Sequence, residues 1–175
     1  VRKITRDGKL ILEKGSTSQY DRIINVAGPW AQTLLEDSGL DSPYKLDLVR
    51  GSHLVLKKAC DQAYLLEVPE EKRIFFVLPW KGHTLLGTTE VRQSLEEPIV
   101  CSEEEKQYLI QAYLHYFPDE SPEVIEEFAG LRPLIYSADD PRKATREYAL
   151  HKEGRILTIF GGKWTTAMAL ADKVL

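Results

Sequence analysis

Scarcity sets the first limits on this chain. It has two cysteines, Cys60 and Cys101, and four histidines in 175 residues. Two cysteines cannot build a disulfide framework, and neither residue type shows metal-ligand spacing, so reduced thiols in a cytosolic compartment and no metal site are expected. No apolar run approaches the ~18 residues needed to span a bilayer, and no signal-peptide core opens the chain. Positive charge is not in excess: 23 Lys and Arg stand against 27 Asp and Glu, a net charge of −4, and the cations are scattered. That excludes the basic stripe of a nucleic-acid binder. No internal repeat or low-complexity segment appears. What remains, 43% hydrophobic and 29% charged residues, is the composition of a globular protein with one ordinary core.

The most informative stretch lies near the C-terminal end, Ile156-Leu157-Thr158-Ile159-Phe160-Gly161-Gly162-Lys163-Trp164-Thr165-Thr166. Its first five residues read as a buried strand. Trp164, Ala167, Met168, Ala171 and Val174 then recur at helical spacing and predict a helix with an apolar stripe. Glycines at such a strand-to-helix turn let a ligand approach the backbone. The free N–H groups, the helix dipole and Lys163 all favour an anion. A Walker loop does not fit, because its first glycine would fall on Leu157 and its hydroxyl on Trp164.

Taken in order, residues 1–12 predict a hairpin turning at Arg6-Asp7-Gly8-Lys9, and Tyr20–Ala27 a strand running into Gly28-Pro29-Trp30 and a helix that ends near Ser38-Gly39. Lys45–Leu56 reads as a long strand interrupted at Gly51-Ser52. Ile74–Leu78 and Thr84–Thr89 form a hairpin through Trp80–His83, apolar on both faces and so expected inside its sheet. Ser102 and Glu105 make a capping box for a helix that buries Leu109, Ala112, Tyr113 and Tyr116 and stops at Phe117-Pro118. Ser121-Pro122-Glu123 predicts a short helical turn, Phe128–Ile135 a strand bent at Gly130, and Arg146–His151 with Arg155–Phe160 a last hairpin. The fold class expected is α+β: a large mixed, mainly antiparallel sheet with flanking helices, plus strand–helix pieces at both ends.

Three side chains stand out chemically. Arg132, between Leu131 and Pro133 in an apolar strand, needs a partner, either an internal carboxylate or a ligand carboxylate, phosphate or hydroxyl. Arg146 adjoins Glu147 and on its own reads more simply as a solvated surface pair than as a ligand contact. His53 follows the Gly-Ser break and has the chemistry of a base near neutral pH.

Six motifs in the same order carry a resemblance. Asn25-Val26-Ala27-Gly28-Pro29-Trp30-Ala31, Arg50-Gly51-Ser52-His53, Phe75–Trp80 with Gly87-Thr88-Thr89-Glu90, Gly130-Leu131-Arg132-Pro133-Leu134, Thr145-Arg146-Glu147-Tyr148 and Gly161-Gly162-Lys163-Trp164-Thr165-Thr166 together resemble the FAD-dependent glycerol-3-phosphate dehydrogenases, within the wider D-amino-acid-oxidase-like flavoproteins. The resemblance spans nearly the whole chain. The family's N-terminal glycine-rich pyrophosphate loop has no counterpart, since no G-x-G-x-x-G occurs. With Val1 in place of an initiator methionine and an uncapped last helix, the chain is expected to be a piece of a longer protein that holds FAD poorly alone.

The resemblance implies a domain order: 1–44 as a returning part of an FAD-binding domain, 45–150 as a substrate-binding domain, and 151–175 as the closing strand and helix of the first. It implies FAD contacts at Asn25, Ala27, Gly28, Gly161, Gly162, Lys163, Thr165 and Thr166. Lys163 would stand at the flavin's pyrimidine end, Arg132 at the C2 hydroxyl of glycerol 3-phosphate, Arg146 at its phosphate, and His53 as the base. The implied partners are glycerol 3-phosphate and a quinone or other electron acceptor, in the cytoplasm and peripheral to the inner membrane, with no nucleic acid. The alternatives are an FAD-dependent amino-acid or hydroxy-acid oxidoreductase, in which Arg146 would be idle, and a non-catalytic anion-binding domain on the same scaffold. One departure is visible: the family often continues its last motif as Thr-Thr-Tyr-Arg, where this chain has Thr165-Thr166-Ala167-Met168.

Overall fold

A computed structural model describes residues 1–136 and 147–175. The chain divides into two compact units, Val1–Leu48 with Arg132–Leu175, and Val49–Leu131.

In the first unit, β1 (Lys3–Ile4) and β2 (Lys9–Ile11) form the expected hairpin, and β3 (Thr17–Gln19), which the sequence reading missed, completes a three-stranded sheet. The strand β4 (Ile23–Asn25) leads through a 3-10 turn at Gly28–Trp30 into α1 (Ala31–Asp37). Near the C-terminus β11 (Tyr148–Glu153) and β12 (Ile156–Gly161) make the last predicted hairpin, and β12 pairs in parallel with β4 on its other edge. Held on both edges, β12 buries Ile156, Leu157, Thr158 and Phe160. Those positions point alternately to both faces, as a near-continuous apolar run requires. Ile4, Ile23, Leu35, Leu40, Ile156 and Phe160 are the core, and the Tyr44 ring lies 5.3 Å from that of Phe160.

The closing helix, α3 (Ala167–Val174), follows a 3-10 turn at Trp164–Thr166. Its apolar stripe is not buried as expected: Trp164 is 94% and Met168 79% exposed, and Val174 is the buried residue of the helix. Ala167, Leu170 and Ala171 instead line an open cavity, so the stripe has the predicted period but no filled core against it.

The second unit holds most of a six-stranded sheet. Its strands are β5 (Leu46–Leu56), β6 (Tyr64–Glu67), β7 (Ile74–Trp80), β8 (His83–Gly87), β9 (Val91–Arg92) and β10 (Val124–Ile135), in the order β10-β5-β8-β7-β6, with β9 beside β5. The β7–β8 hairpin is interior as predicted, turning on Lys81 and Gly82, both at positive φ as a two-residue turn of this hand demands. Leu54, Leu56, Phe75, Val77 and Leu86 pack against Leu109, Ala112 and Tyr113 of α2 (Glu103–Tyr116). Each such side chain stabilises the fold by roughly 1.5–3 kcal/mol. Tyr116 is at the exposed end of that stripe.

Three expectations change. The strand β6 forms in a stretch for which the sequence predicts no element. β10 begins at Val124, extending through the stretch between the predicted helical turn and Phe128. And β5 runs unbroken through Gly51 and Ser52, because a polar residue there is satisfied by partners far along the chain.

Those partners converge on Glu105. One carboxylate oxygen accepts from Arg50 Nη2 at 2.8 Å and Nε at 3.0 Å, and from the Ser102 N–H at 3.1 Å. The other accepts from Ser52 Oγ at 2.8 Å and from the Thr89 hydroxyl, while Thr89 Oγ1 accepts the Ser52 N–H. Arg50 also reaches Gln93 Oε1 at 2.7 Å. Burial pushes the Glu105 carboxyl up, and the hydrogen bonds from Thr89, Ser52, the Ser102 amide and Arg50 outweigh it, so its pKa lies below the ordinary value. The capping-box residue therefore also ties the helix to β5 and to the β8–β9 connection.

Glu105→Gln leaves the Arg50 charge buried without its counterion and is expected to destabilise the protein by about 3–5 kcal/mol. Because the folded pKa is depressed, this stabilisation is present above the unfolded carboxylate pKa of ~4.3 and disappears as pH falls through the folded value. Urea titrations should therefore show a large difference in midpoint between parent and variant at pH 7 that shrinks under acid.

Candidate functional site

A cavity of the first unit, about 600 Å³, is lined by residues at the carboxyl ends of β4 and β12. Its lining is largely apolar, with Ile24, Val26, Ile159, Leu170, Ala171 and Val174, and includes Gly28, Gly161, Gly162 and Lys163. Four of the residues singled out from the sequence thus meet around one space.

Backbone conformation explains the glycines. Gly161 and Gly162 have φ of 69° and 104°, in the region L side chains avoid. A Cβ at Gly161 would also lie 2.6 Å from the Glu147 carbonyl oxygen, so no side chain fits. Gly28, at φ 58°, differs: a Cβ there would meet nothing within 4 Å, so its backbone borders open space. Asn25 keeps that loop in place. It is buried, donates from Nδ2 to the Ala31 carbonyl at 3.0 Å and to Thr158 Oγ1 at 3.4 Å, and accepts the Ala27 N–H on Oδ1. Asn25 and Ala27 are therefore engaged in shaping the turn that presents Gly28.

Lys163 precedes the 3-10 turn and pairs with Glu147, Nζ to Oε1 at 3.1 Å. Both side chains are substantially exposed, so the pair itself contributes at most about 1 kcal/mol and leaves the ammonium able to turn to a stronger anion. Thr166 Oγ1 bonds back to the Lys163 carbonyl, and Thr165 is exposed beside it; neither lines the cavity.

Arg132 is partly exposed on β10 in the first unit. Arg146 lies outside the described residues. His53 belongs to the second unit, on the face of β5 opposite Arg50 and Ser52, where it pairs with Gly87 across the strands and stacks on Phe128. Among the described residues no cluster of three or more His, Cys, Asp or Glu could hold a metal ion.

The FAD dependent oxidoreductase family model matches residues 1–174. The chain belongs to that family. It is 35% identical to a Pseudomonas aeruginosa glycerol-3-phosphate dehydrogenase over 95% of its own length and 36% of that protein's. Among solved structures, a Bacillus halodurans glycerol-3-phosphate dehydrogenase complexed with FAD superposes with a TM-score of 0.78 at 28% identity, over 91% of this chain and 32% of that one. A Geobacillus kaustophilus glycine oxidase shares the fold at TM-score 0.68 and 19% identity, over 95% and 43%. The chain thus spans about a third of the length of the dehydrogenases it matches, and the α+β fold expected from its sequence is the family's.

Sequence reasoning missed Phe128 as a neighbour of His53, and Glu105 as more than a cap. The first was readable only as one of several aromatic strand residues. The second is separated from Arg50 by 55 positions, and no local pattern links them.

Gly161→Ala is expected to cost more than the ~1–2 kcal/mol of left-handed strain alone, because of the clash with Glu147, whereas Gly28→Ala should cost no more than that strain. Thermal melts of the two variants measure the difference, with equal losses contradicting the assignment of Gly28 to open space.

Proposed function

We propose that this chain is the substrate-binding portion of a flavoprotein that oxidises sn-glycerol 3-phosphate to dihydroxyacetone phosphate, with residues 45–150 as the substrate-binding domain and 1–44 and 151–175 as parts of an FAD-binding domain. The observation that carries the reading is that Gly28, Gly161, Gly162 and Lys163 line one cavity of the first unit. Open backbone at Gly28 and the N–H groups around Gly161 and Gly162 fit a planar, electron-rich group held through main chain. The compact unit Val49–Leu131 lies inside the proposed substrate domain.

FAD, when bound, supplies the acceptor for the hydride that leaves C2 of the substrate. Gly28, Gly161 and Gly162 would hold it by backbone, with Thr165 and Thr166 beside the turn. The Lys163 ammonium and the dipole of α3 would supply preorganised positive potential for negative charge on the bound cofactor. His53 takes the proton from the C2 hydroxyl, so that proton and hydride leave the same carbinol and a ketone remains. Arg132 orients that hydroxyl, and Arg146 grips the phosphate through charge-assisted hydrogen bonds. The electron acceptor beyond the cofactor, a quinone or another, and a cytoplasmic position peripheral to the inner membrane follow from the family resemblance. Among the described residues no helix is long and apolar enough to cross a membrane.

The test is a chimera in which this chain replaces the matching third of the Pseudomonas aeruginosa relative, loaded with FAD and mixed anaerobically with glycerol 3-phosphate, glycine, a 2-hydroxy acid or glycerol. Rapid bleaching of the flavin by glycerol 3-phosphate alone is expected; bleaching by an amino or hydroxy acid instead would overturn the substrate assignment. In the same protein Arg146→Ala should weaken glycerol 3-phosphate binding by about 2–4 kcal/mol, and an unchanged affinity would remove Arg146 from the phosphate site.

A further inference from the structure

We infer that Phe128 and Gly87 are positioning residues that fix the imidazole of His53. The inference rests on the reading of His53 as the proton acceptor and adds what holds its ring.

Alternation along β5 sends Arg50, Ser52, Leu54 and Leu56 to the face covered by α2, and His53 to the other. On that face the cross-strand row runs from His53 to Gly87 on β8, Phe76 on β7 and Leu65 on β6. Phe76 and Leu65 are exposed, so the row is open to a small molecule beyond Gly87.

The ring itself has little freedom. A Cβ at Gly87 would sit 2.3 Å from His53 Cδ2, 2.9 Å from Cγ and 3.0 Å from Nε2. The φ of Gly87 lies outside the left-handed region, so what this position requires of glycine is space for the imidazole. Phe128 on β10 stacks on the same ring at 5.1 Å between centroids and 10° between planes. It is 41% exposed, too open for core packing to explain its place, and its flat contact fixes the plane of the imidazole. Nδ1 is shut away from solvent.

A histidine's second torsion is otherwise broad, and a proton acceptor must hold its nitrogen within hydrogen-bond reach of the hydroxyl it serves. The empty position at 87 and the aromatic plate at 128 together supply that constraint. Both touch the His53 ring, and the effect assigned to each is exerted through it.

Two measurements test this. In the 175-residue chain, with the His53 ring protons assigned by comparison with His53→Gln, Phe128→Leu and Gly87→Ala should each shift those signals, while Phe128→Tyr preserves them. Signals unmoved by Phe128→Leu and Gly87→Ala would overturn the inference. In the FAD-loaded chimera, Phe128→Leu and Gly87→Ala should lower kcat about 100-fold with KM close to the parent's, as misplacing a reacting group by about 1 Å does, and Phe128→Tyr should restore it. Phe128→Leu, at a partly exposed site, keeps the test valid if Gly87→Ala fails to fold. Parental kcat in both variants, with His53→Gln inactive, overturns the positioning role alone. Full activity of His53→Gln overturns the reading of His53 as the base and the inference with it.

Discussion

Pairing of β12 on both edges is the constraint on which the first unit depends. Its antiparallel partner β11 and its parallel partner β4 fix where the strand stops, and it stops on Gly161, with Gly162 and Lys163 following. The parallel pairing sets Thr158 opposite Asn25, the last residue of β4, and β12 continues to Gly161; residues that follow each strand line one cavity. Asn25 joins the strands further through Thr158 and holds its own turn through Ala27 and Ala31. A site made mainly of backbone thus inherits its precision from a buried strand, which bends less than a loop built of side-chain contacts.

The second unit uses the opposite means. There a single carboxylate, Glu105, gathers Arg50, Ser52, Thr89 and the start of α2 into one buried network. Buried charge is a poor source of net stability when compared with an apolar replacement, but with every hydrogen bond made it specifies one register and one helix position. The strand it anchors carries His53 on its far face, two residues beyond Gly51 and next to Ser52. Arg50 and Ser52 toward the helix and His53 away from it follow from the same two-residue alternation.

Local signals in the sequence were sufficient for many of these elements. The capping box of Ser102 and Glu105, the Lys81-Gly82 turn and the run Ile156–Phe160 each contain their own structural instruction, and each formed where the chain predicts it. Short or edge strands such as β3 and β6 did not announce themselves, since Thr17–Gln19 has no apolar face and Tyr64–Glu67 too few residues to show a period. Long-range pairings were invisible for a different reason. Gly51-Ser52 looks like a strand break until Thr89 and Glu105 are known to satisfy it, and Gly87 looks like an ordinary strand glycine until the His53 ring occupies its missing side chain. The α3 stripe shows the converse: its period was legible, but periodicity does not say whether the space it faces is filled.

In the proposed function Gly161, Gly162 and Lys163 would form a positively charged, main-chain cradle for the flavin. The midpoint potential of the flavin in the FAD-loaded chimera, with Lys163 intact and as Lys163→Met, tests it most directly. Loss of the ammonium should lower the potential, because the reduced, negatively charged flavin would lose the positive charge proposed to offset it. A potential unchanged by Lys163→Met would contradict the cradle and leave that lysine only its surface pair with Glu147.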